Sequence, residues 1–176
     1  DFKFISSGAI RIYTNSGGSN TTGTISLNQW SHIAVVRQSS TFKVYINGNG
    51  ETVTPPAFTG DGSSAAEIGR KIRNTSEELT GFISNLRVVK GTAVYTSNFT
   101  APTEPLANIT NTKLLCCNSS TSATTATVKP GSITANGGAF ATRNELSGSI
   151  VLAVPGIATG NGSNLITNGS FDTDIS

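Results

Sequence analysis

Residues 66–102, AEIGRKIRNTSEELTGFISNLRVVKGTAVYTSNFTAP, carry the pattern from which we predict the fold. Within them the side chains of Gly81–Lys90 would alternate between two faces of a strand. One face holds Phe82, Leu86 and Val88, and the other holds Ile83, Asn85, Arg87 and Val89. A period of two residues is typical of a half-buried β-strand. Upstream, Ala65–Gly69 is predicted to be a second short apolar strand, and Arg70–Leu79 is a polar stretch long enough to loop over the rim of a sheet. We therefore predict sheet architecture here.

The residues before this stretch also favour short strands separated by turns. Asp1–Ser7 and Ala9–Thr14 are strand candidates, and NSGGSNTTG at Asn15–Gly23 has the composition of a surface loop. The segment Trp30–Arg37 is apolar on both faces, which predicts an interior strand. No window has a clear helical period, and the piece nearest to a helix is about one turn at Ser76–Leu79.

A hairpin is predicted at Asn47-Gly48. Thr41–Ile46 alternates in hydrophobicity before this dipeptide, and Pro55-Pro56 ends the arm that follows it. Asn-Gly between two extended runs is the strongest short-range hairpin signal, because both central residues of a type I′ turn need a positive φ.

The composition favours hydrogen bonding over charge at the surface. Charged residues make up 12% of the 176 residues, and the formal net charge is +2. Lys and Arg are scattered, so they form no basic footprint for nucleic acid or for an anionic membrane. The longest apolar run, Ile150–Val154, is far shorter than the roughly 20 residues needed to cross a bilayer. We predict no nucleic-acid partner and no membrane insertion.

The composition shifts after Lys113–Cys117, a predicted strand that returns to the sheet. We assign residues 1–117 to one β-domain. Residues 118–163 are rich in Ser, Thr and Gly and are predicted to connect domains, with a few short edge strands. Residues 164–176 are expected to begin a following module.

Several motifs, taken in chain order, resemble one known family. They are WSHIAV at Trp30–Val35, VYING at Val44–Gly48, IGR at Ile68–Arg70 and GFISNLRV at Gly81–Val88. This series resembles the laminin-G-like, concanavalin A-like lectin/glucanase superfamily, and the resemblance covers about Phe2–Cys117. The following KGTAVYTSNFTAP at Lys90–Pro102 resembles the version that tailed bacteriophages carry in fibre and other appendage proteins.

The resemblance implies an all-β fold, a two-sheet jelly-roll sandwich of laminin-G-like type, followed here by a β-poor connecting region. In the family several strands precede the piece that aligns with the first residue, so we expect the sandwich to be N-terminally incomplete in this sequence. Members are often binding modules for glycans or proteins, and some hold a calcium ion at the rim. No residues here support such an ion, and we expect no cofactor. Leu165–Phe171 resembles the start of a carbohydrate-binding jelly roll.

Catalysis is not predicted. The glucanase relatives depend on a closely spaced acidic triplet on one strand, which this sequence lacks. Glycoside hydrolysis needs two carboxylates about 5 to 9 Å apart, and the only adjacent acids, Glu77 and Glu78, fall in a predicted loop. His32 is the sole histidine and has no G-x-S-x-G element beside it, so we predict a structural role.

Cys116 and Cys117 are predicted to be a buried thiol and its neighbour. Successive side chains of a strand project to opposite faces, so we predict that the two thiols cannot form a low-strain bridge. The pair also offers too few ligands for a metal site.

The remaining candidate site is the polar loop, with Arg70, Arg73, Asn74 and Glu77 as its ligand-binding residues. Sandwich loops cluster at the ends of the sheets, where a rigid scaffold displays binding residues. The charged and amide groups of this polar loop can hydrogen-bond to sugar hydroxyls. The alternative is an ordinary solvated loop without a ligand.

From these observations we predict a non-enzymatic, lectin-like module of a phage tail fibre or virion-surface protein. It is located on the virion surface or otherwise outside the cell, and its partner is a host-surface glycan. The alternative is a structural module that oligomerises with other fibre or virion subunits, for example as a homotrimer, or decorates a virion without a ligand of its own.

Overall fold

The regular elements of the described residues are all β-strands, joined by turns and irregular segments. The computed structural model describes residues 2–14, 16–57, 66–70 and 77–142. Its strands are β1 (Phe2–Phe4), β2 (Ala9–Thr14), β3 (Gly17–Thr24), β4 (Ile33–Gln38), β5 (Thr41–Ile46), β6 (Asn49–Val53), β7 (Leu86–Val89), β8 (Thr112–Cys116) and β9 (Ala126–Val128). They pair antiparallel in three sheets, β1-β2-β3, β4-β5-β6 and β7-β8-β9. The predicted all-β sandwich is confirmed, and within these residues no helix is long and apolar enough to span a membrane.

The core lies between the first two sheets. Ile10 and Ile12 of β2 are buried against Val44 and Val53 of the second sheet. Strand β3 contacts β5 and β6, so the two sheets pack face to face. The Glu51 side chain of β6 adds a polar link, because its Oε1 accepts a hydrogen bond from the Thr22 N–H of β3 at 2.7 Å.

The prediction of a surface loop at Asn15–Gly23 is wrong, since Gly17–Thr24 forms the edge strand β3. This strand holds no large apolar side chain, so no alternation marks it in the sequence. Its Thr21 is buried, and Thr21 Oγ1 accepts from the Ile10 N–H at 2.9 Å and donates to the Gly23 carbonyl at 2.7 Å. The hydroxyl thereby satisfies backbone groups where the β2–β3 register shifts.

Strand β5 is the centre of the second sheet, and its two faces are both covered. The front face, with Val44, points to the core. The predicted hairpin after β5 is confirmed, with φ of 50° at Asn47 and 85° at Gly48. The prediction of an interior strand at Trp30–Arg37 is wrong, because β4 begins at Ile33 and pairs only with β5 among the described strands.

Residues 94–101, which we name the cover segment, lie over the back face of β5. Four hydrogen bonds anchor the segment. Lys43 Nζ donates to the Thr96 carbonyl at 3.1 Å, Tyr45 Oη to the Tyr95 carbonyl at 3.3 Å, Phe99 N–H to the Gly48 carbonyl at 3.1 Å, and Gly50 N–H to Asn98 Oδ1 at 3.0 Å. Tyr45 is 1% exposed beneath the segment, with its ring centroid 5.3 Å from that of Phe99.

The third sheet departs from the prediction at its first strand. Only Leu86–Val89 is extended, because Asn85 has a φ of 53° and turns the chain just before it. A half-buried strand would bury the apolar face of Phe82, Leu86 and Val88, but Phe82 and Val88 are 51% and 44% exposed, so this part of the prediction is wrong. The predicted return strand is confirmed as β8, which pairs with β7 and β9.

The segments around the polar loop also differ from expectation. Residues 66–69 are not a strand, and Ala65 lies outside the described residues. Arg70 forms an isolated β-bridge with Glu78, and the Leu79 N–H donates to the Gly69 carbonyl at 2.7 Å, so residues 77–79 are not helical. All described strands belong to one compact unit, Asp1–Thr142. The expected edge strand at Ile150–Val154 and the expected module at 164–176 lie outside the described residues, and the proposed domain boundaries stay predictions.

Candidate functional site

Two surface grooves lie at opposite ends of the second sheet. The first, which we name the Phe42 groove, has a volume of about 370 Å³ and is lined by Arg37, Ser40, Thr41, Phe42, Thr52, Thr54, Pro55, Pro56 and Ala57. The second, which we name the Asn49 groove, has a volume of about 330 Å³ and is lined by Gly23, Thr24, Ile46, Asn47, Asn49, Gly50 and Glu51.

The strand register builds the wall of the Phe42 groove. Arg37 of β4 is the cross-strand partner of Phe42, so their side chains share one face. The Arg37 guanidinium carbon lies 5.6 Å from the centre of the Phe42 ring, within the range of a cation–π contact. Arg37 Nε also donates to the Ser39 carbonyl at 3.2 Å, which fixes the side chain over the β4–β5 turn.

The chain after β6 forms the opposite wall. Proline has no backbone N–H, so Pro55 and Pro56 cannot extend the sheet and instead present their rings to the groove. The segment is tied to β3, because Ser19 Oγ donates to the Thr54 carbonyl at 2.7 Å. The Phe42 groove is therefore held on both sides by paired strands.

The Phe42 groove combines apolar rings with hydroxyl groups. The lining includes the apolar Phe42 and two prolines together with the hydroxyl residues Ser40, Thr41 and Thr52. Thr41 and Thr52 alternate with Phe42 and Val53 along their strands, so their side chains start from the opposite face of the sheet. A pyranose ring presents C–H groups on its faces and hydroxyls at its edge, so this mixture is complementary to a sugar. Ligand sites in general share this pattern of apolar lining with a few oriented polar groups.

The Asn49 groove is less suited to a ligand because its main polar groups already have partners. The Glu51 carboxylate accepts hydrogen bonds from Thr22 N–H at 2.7 Å, Thr22 Oγ1 at 2.6 Å and Gly23 N–H at 3.1 Å. Asn47 Oδ1 accepts from the His32 N–H at 2.8 Å. These contacts join β3 to β6 and tie the β5–β6 turn to the residue before β4, so we assign the Asn49 groove a structural role.

The predicted polar loop is described only in part. Arg70 makes a two-point ion pair with Glu67, from Nη2 to Oε1 at 2.9 Å and from Nε to Oε2 at 3.1 Å, which lowers the pKa of Glu67 and raises that of Arg70. Glu77 Oε2 lies 2.8 Å from Lys3 Nζ of β1. Arg73 and Asn74 lie outside the described residues, so the loop as a binding rim stays a prediction.

His32 lies among aromatic rings and not in a catalytic arrangement. Its ring meets those of Tyr95 and Phe99 edge-on, with centroids 6.1 Å and 5.5 Å apart. Burial, and then the nearby charge of Arg87, lower the pKa of His32 below its usual 6.5. Among the residues that the structure describes, no group of three or more His, Cys, Asp or Glu side chains is placed to hold a metal ion.

The prediction that the side chains of Cys116 and Cys117 project to opposite faces is wrong. Cys117 follows the end of β8 with a φ of 57°, which breaks the strand alternation. The two Sγ atoms lie 3.7 Å apart, and both cysteines are free thiols.

The sequence reasoning missed the Phe42 groove. The available signal was the Pro55-Pro56 pair directly after an alternating hairpin, because prolines must leave the sheet and Phe42 belongs to the neighbouring strand. The register that places Arg37 beside Phe42 follows from the length of the β4–β5 turn, which the sequence did not fix.

Comparison with known proteins gives one match. A family model described as the concanavalin A-like lectin/glucanases superfamily matches residues 1–94, which is more than half of the 176 residues and includes both grooves. No curated protein and no solved structure matches the chain.

Proposed function

We propose that this chain, which belongs to the concanavalin A-like lectin/glucanase superfamily, is a non-enzymatic carbohydrate-binding module that holds its glycan in the Phe42 groove. The superfamily supplies a fold of carbohydrate-binding type, which supports the class of ligand. Fold alone does not assign function, so the proposal depends on the site.

The observation that carries the proposal is the composition of the Phe42 groove. The groove is lined by one phenylalanine, two prolines, four Ser or Thr residues and one arginine, and its volume is about 370 Å³. That volume lies in the range of small-ligand sites, which run from about 300 to 1,000 Å³. A groove of this volume can accept one or two sugar rings, with Phe42 and the Ser and Thr residues among its lining.

We place this module in a phage tail fibre or another virion-surface protein, outside the cell, with a host-surface glycan as its partner and no cofactor. Two observations support this context. The cover segment belongs to KGTAVYTSNFTAP, the stretch that resembles phage appendage proteins, and charged residues are only 12% of the chain. In this context binding to the glycan attaches the virion to its host.

A glycan array with labelled protein tests the groove, with Phe42→Leu as the test variant. Leucine keeps an apolar side chain against the core but removes the flat ring, so we expect binding to fall about 10-fold, which corresponds to about 1.4 kcal/mol. Asn49→Ala in the other groove is the matched control and should leave binding unchanged.

Two results would count against this assignment. If wild type binds no glycan on the array and does not adsorb to host cells, the lectin role is wrong. A second result would move the site. If wild type binds a glycan, and Asn49→Ala weakens that binding while Phe42→Leu does not, the module is a lectin whose site lies in the Asn49 groove.

One observation favours the alternative of a structural or oligomerisation module. Phe2 and Phe4 of the edge strand β1 are 50% and 38% exposed on the face that holds Ile10 and Ile12. Apolar side chains on an open strand edge are suited to pairing with another subunit. Light scattering of wild type and of the double variant Phe2→Ser/Phe4→Ser tests this role. A trimeric wild type, a monomeric variant and no binding on the glycan array would together establish it.

A further inference from the structure

The adjacent cysteines form a compact dithiol at the end of β8. Their Sγ atoms lie 3.7 Å apart, and they are the two cysteines of the whole chain. Cys116 is 3% exposed, while Cys117 is half-buried and reachable from solvent. One thiol is therefore accessible and the other stands directly behind it.

An unfavourable backbone conformation brings the thiols together. Cys117 has a φ of 57°, in the left-handed region that costs an L-residue other than Gly about 1 to 2 kcal/mol. Asn and Asp tolerate this region through local hydrogen bonds, and cysteine has no such compensation. The conformation is held by the residue just before β7, since the Asn85 N–H donates to the Cys117 carbonyl at 2.9 Å. Strain of this kind often accompanies a functional group.

We propose that Cys116 and Cys117 are a redox-responsive dithiol, which a low-molecular-weight disulfide such as oxidised glutathione converts into an intramolecular disulfide between the adjacent residues. This modification site is independent of the glycan role proposed for the Phe42 groove, and neither the superfamily match nor that role assigns it.

The exchange proceeds in two balanced steps. The Cys117 thiolate attacks one sulfur of oxidised glutathione, which forms a mixed disulfide and releases one glutathione thiolate. Cys116 then loses its proton and attacks the Cys117 sulfur, which forms the Cys116–Cys117 bond and releases the second glutathione. Two protein thiols are oxidised, one glutathione disulfide is reduced to two thiols, and no other reactant is needed.

The electrostatics of the pair assign the order of attack. The hydrogen bond from the Cys116 thiol lowers the pKa of Cys117 to about 7, although burial opposes this shift. The same hydrogen bond, reinforced by burial, raises the pKa of Cys116. A thiolate is the attacking species in disulfide exchange, so Cys117 reacts first and Cys116 resolves the adduct.

The disulfide is expected to be easily reduced. Adjacent Cα atoms lie about 3.8 Å apart across a trans peptide, below the usual range of about 4.4 to 6.8 Å for bridged cysteines. Strained disulfides have more oxidising potentials and are the labile ones. The bond therefore suits a reversible modification and not a permanent cross-link.

Intact-mass spectrometry of the full chain after incubation with oxidised glutathione tests the proposal. We expect wild type to lose about 2 Da as a monomer and to regain the mass with dithiothreitol. Because the chain has two cysteines, that loss in a monomer identifies the Cys116–Cys117 bond. Cys116→Ser should stop at a stable glutathione adduct of about 305 Da, and Cys117→Ser should react at least about tenfold more slowly.

A second measurement uses wild type alone, so it does not depend on folding of the variants. Iodoacetamide should alkylate Cys117 with a half-maximal rate at a pH of about 7, while Cys116 remains slow. The proposal is overturned if wild type accumulates a stable glutathione adduct, if it forms disulfide-linked dimers, or if both cysteines stay fully alkylatable after oxidation.

Discussion

Single backbone conformations decide where functional groups point in this protein. Asn85 and Cys117 both have positive φ, and the hydrogen bond between them couples the start of β7 to the end of β8. Asn at a positive φ is common, so the late start of β7 within the predicted strand could have been anticipated. Nothing in the sequence marks Cys117 for this conformation, and the strand rule therefore placed its thiol on the wrong face.

His32 gives the residue-scale prediction, a loss of stability in mild acid. Because its pKa is lowered in the folded state, the unfolded chain takes up the proton first as pH falls below about 6.5. The stabilisation is complete above that pH and is lost as pH falls through the lower folded-state pKa. Urea unfolding of wild type at pH 7.5 and 5.0 should show this loss.

His32→Gln, which does not titrate in this range, is the matched control. We expect its free energy of unfolding to change less between the two pH values than that of wild type. An equal pH dependence in both proteins would show that other groups, and not His32, are responsible.

At the scale of the elements, the β5–β6 hairpin was predictable from the sequence, whereas the polar strand β3 was not. Asn47-Gly48 supplies the two positive φ values that a type I′ turn needs, so β5 and β6 were predictable. Strand β3 was not, because it consists of Gly, Ser, Thr and Asn, and is held by the Thr21 hydroxyl and by packing on β2. Tertiary contacts outweigh local propensity in such a strand.

The hairpin turn also carries the element-scale prediction. Gly48 has a φ of 85°, and a Cβ there would collide with the Phe99 carbonyl of the cover segment. Gly48→Ala therefore combines backbone strain with a clash, and we expect a loss of at least about 2 kcal/mol in the free energy of unfolding. Chemical denaturation measures it.

Gly91→Ala is the control for backbone strain alone. Gly91 has a φ of 97°, and a Cβ there meets no atom within 4 Å. We expect Gly91→Ala to lower the free energy of unfolding by about 1 kcal/mol. If the two substitutions cost the same, the cover segment does not press on the turn as described.

For the whole molecule, alternation predicted the sandwich, while the site depended on contacts between distant strands. The core residue Val44 lies in Thr41–Ile46, a segment whose period of two is visible in the sequence. The Phe42 groove instead needs the register of β4 with β5 and the docking of Thr54 on Ser19, which are long-range contacts. Local pattern therefore gave the class of fold but not the location of the groove.

Ile10 tests whether the first two sheets unfold together. It is fully buried in the first sheet and packs on Val44 of the second. Ile10→Ala should lower the free energy of unfolding by about 2 to 5 kcal/mol. Trp30, the single tryptophan, precedes β4, so its fluorescence and far-UV circular dichroism should shift to the same lower urea midpoint.

The exposed Ile109→Ala serves as the control, with an expected change below about 1 kcal/mol. A Trp30 transition that stays at the wild-type midpoint in Ile10→Ala, while circular dichroism shifts, would mean that the two sheets unfold separately.

The cover segment has a consequence for engineering new specificities. Because it seals the back of β5 while the core seals the front, residues at the middle of that strand are committed to packing. Ser40, Thr41 and Thr52, at the mouth of the Phe42 groove, are the positions left open to randomisation. A display library restricted to those three side chains can sample altered recognition on an unchanged scaffold, much as antibody loops diversify above a constant framework.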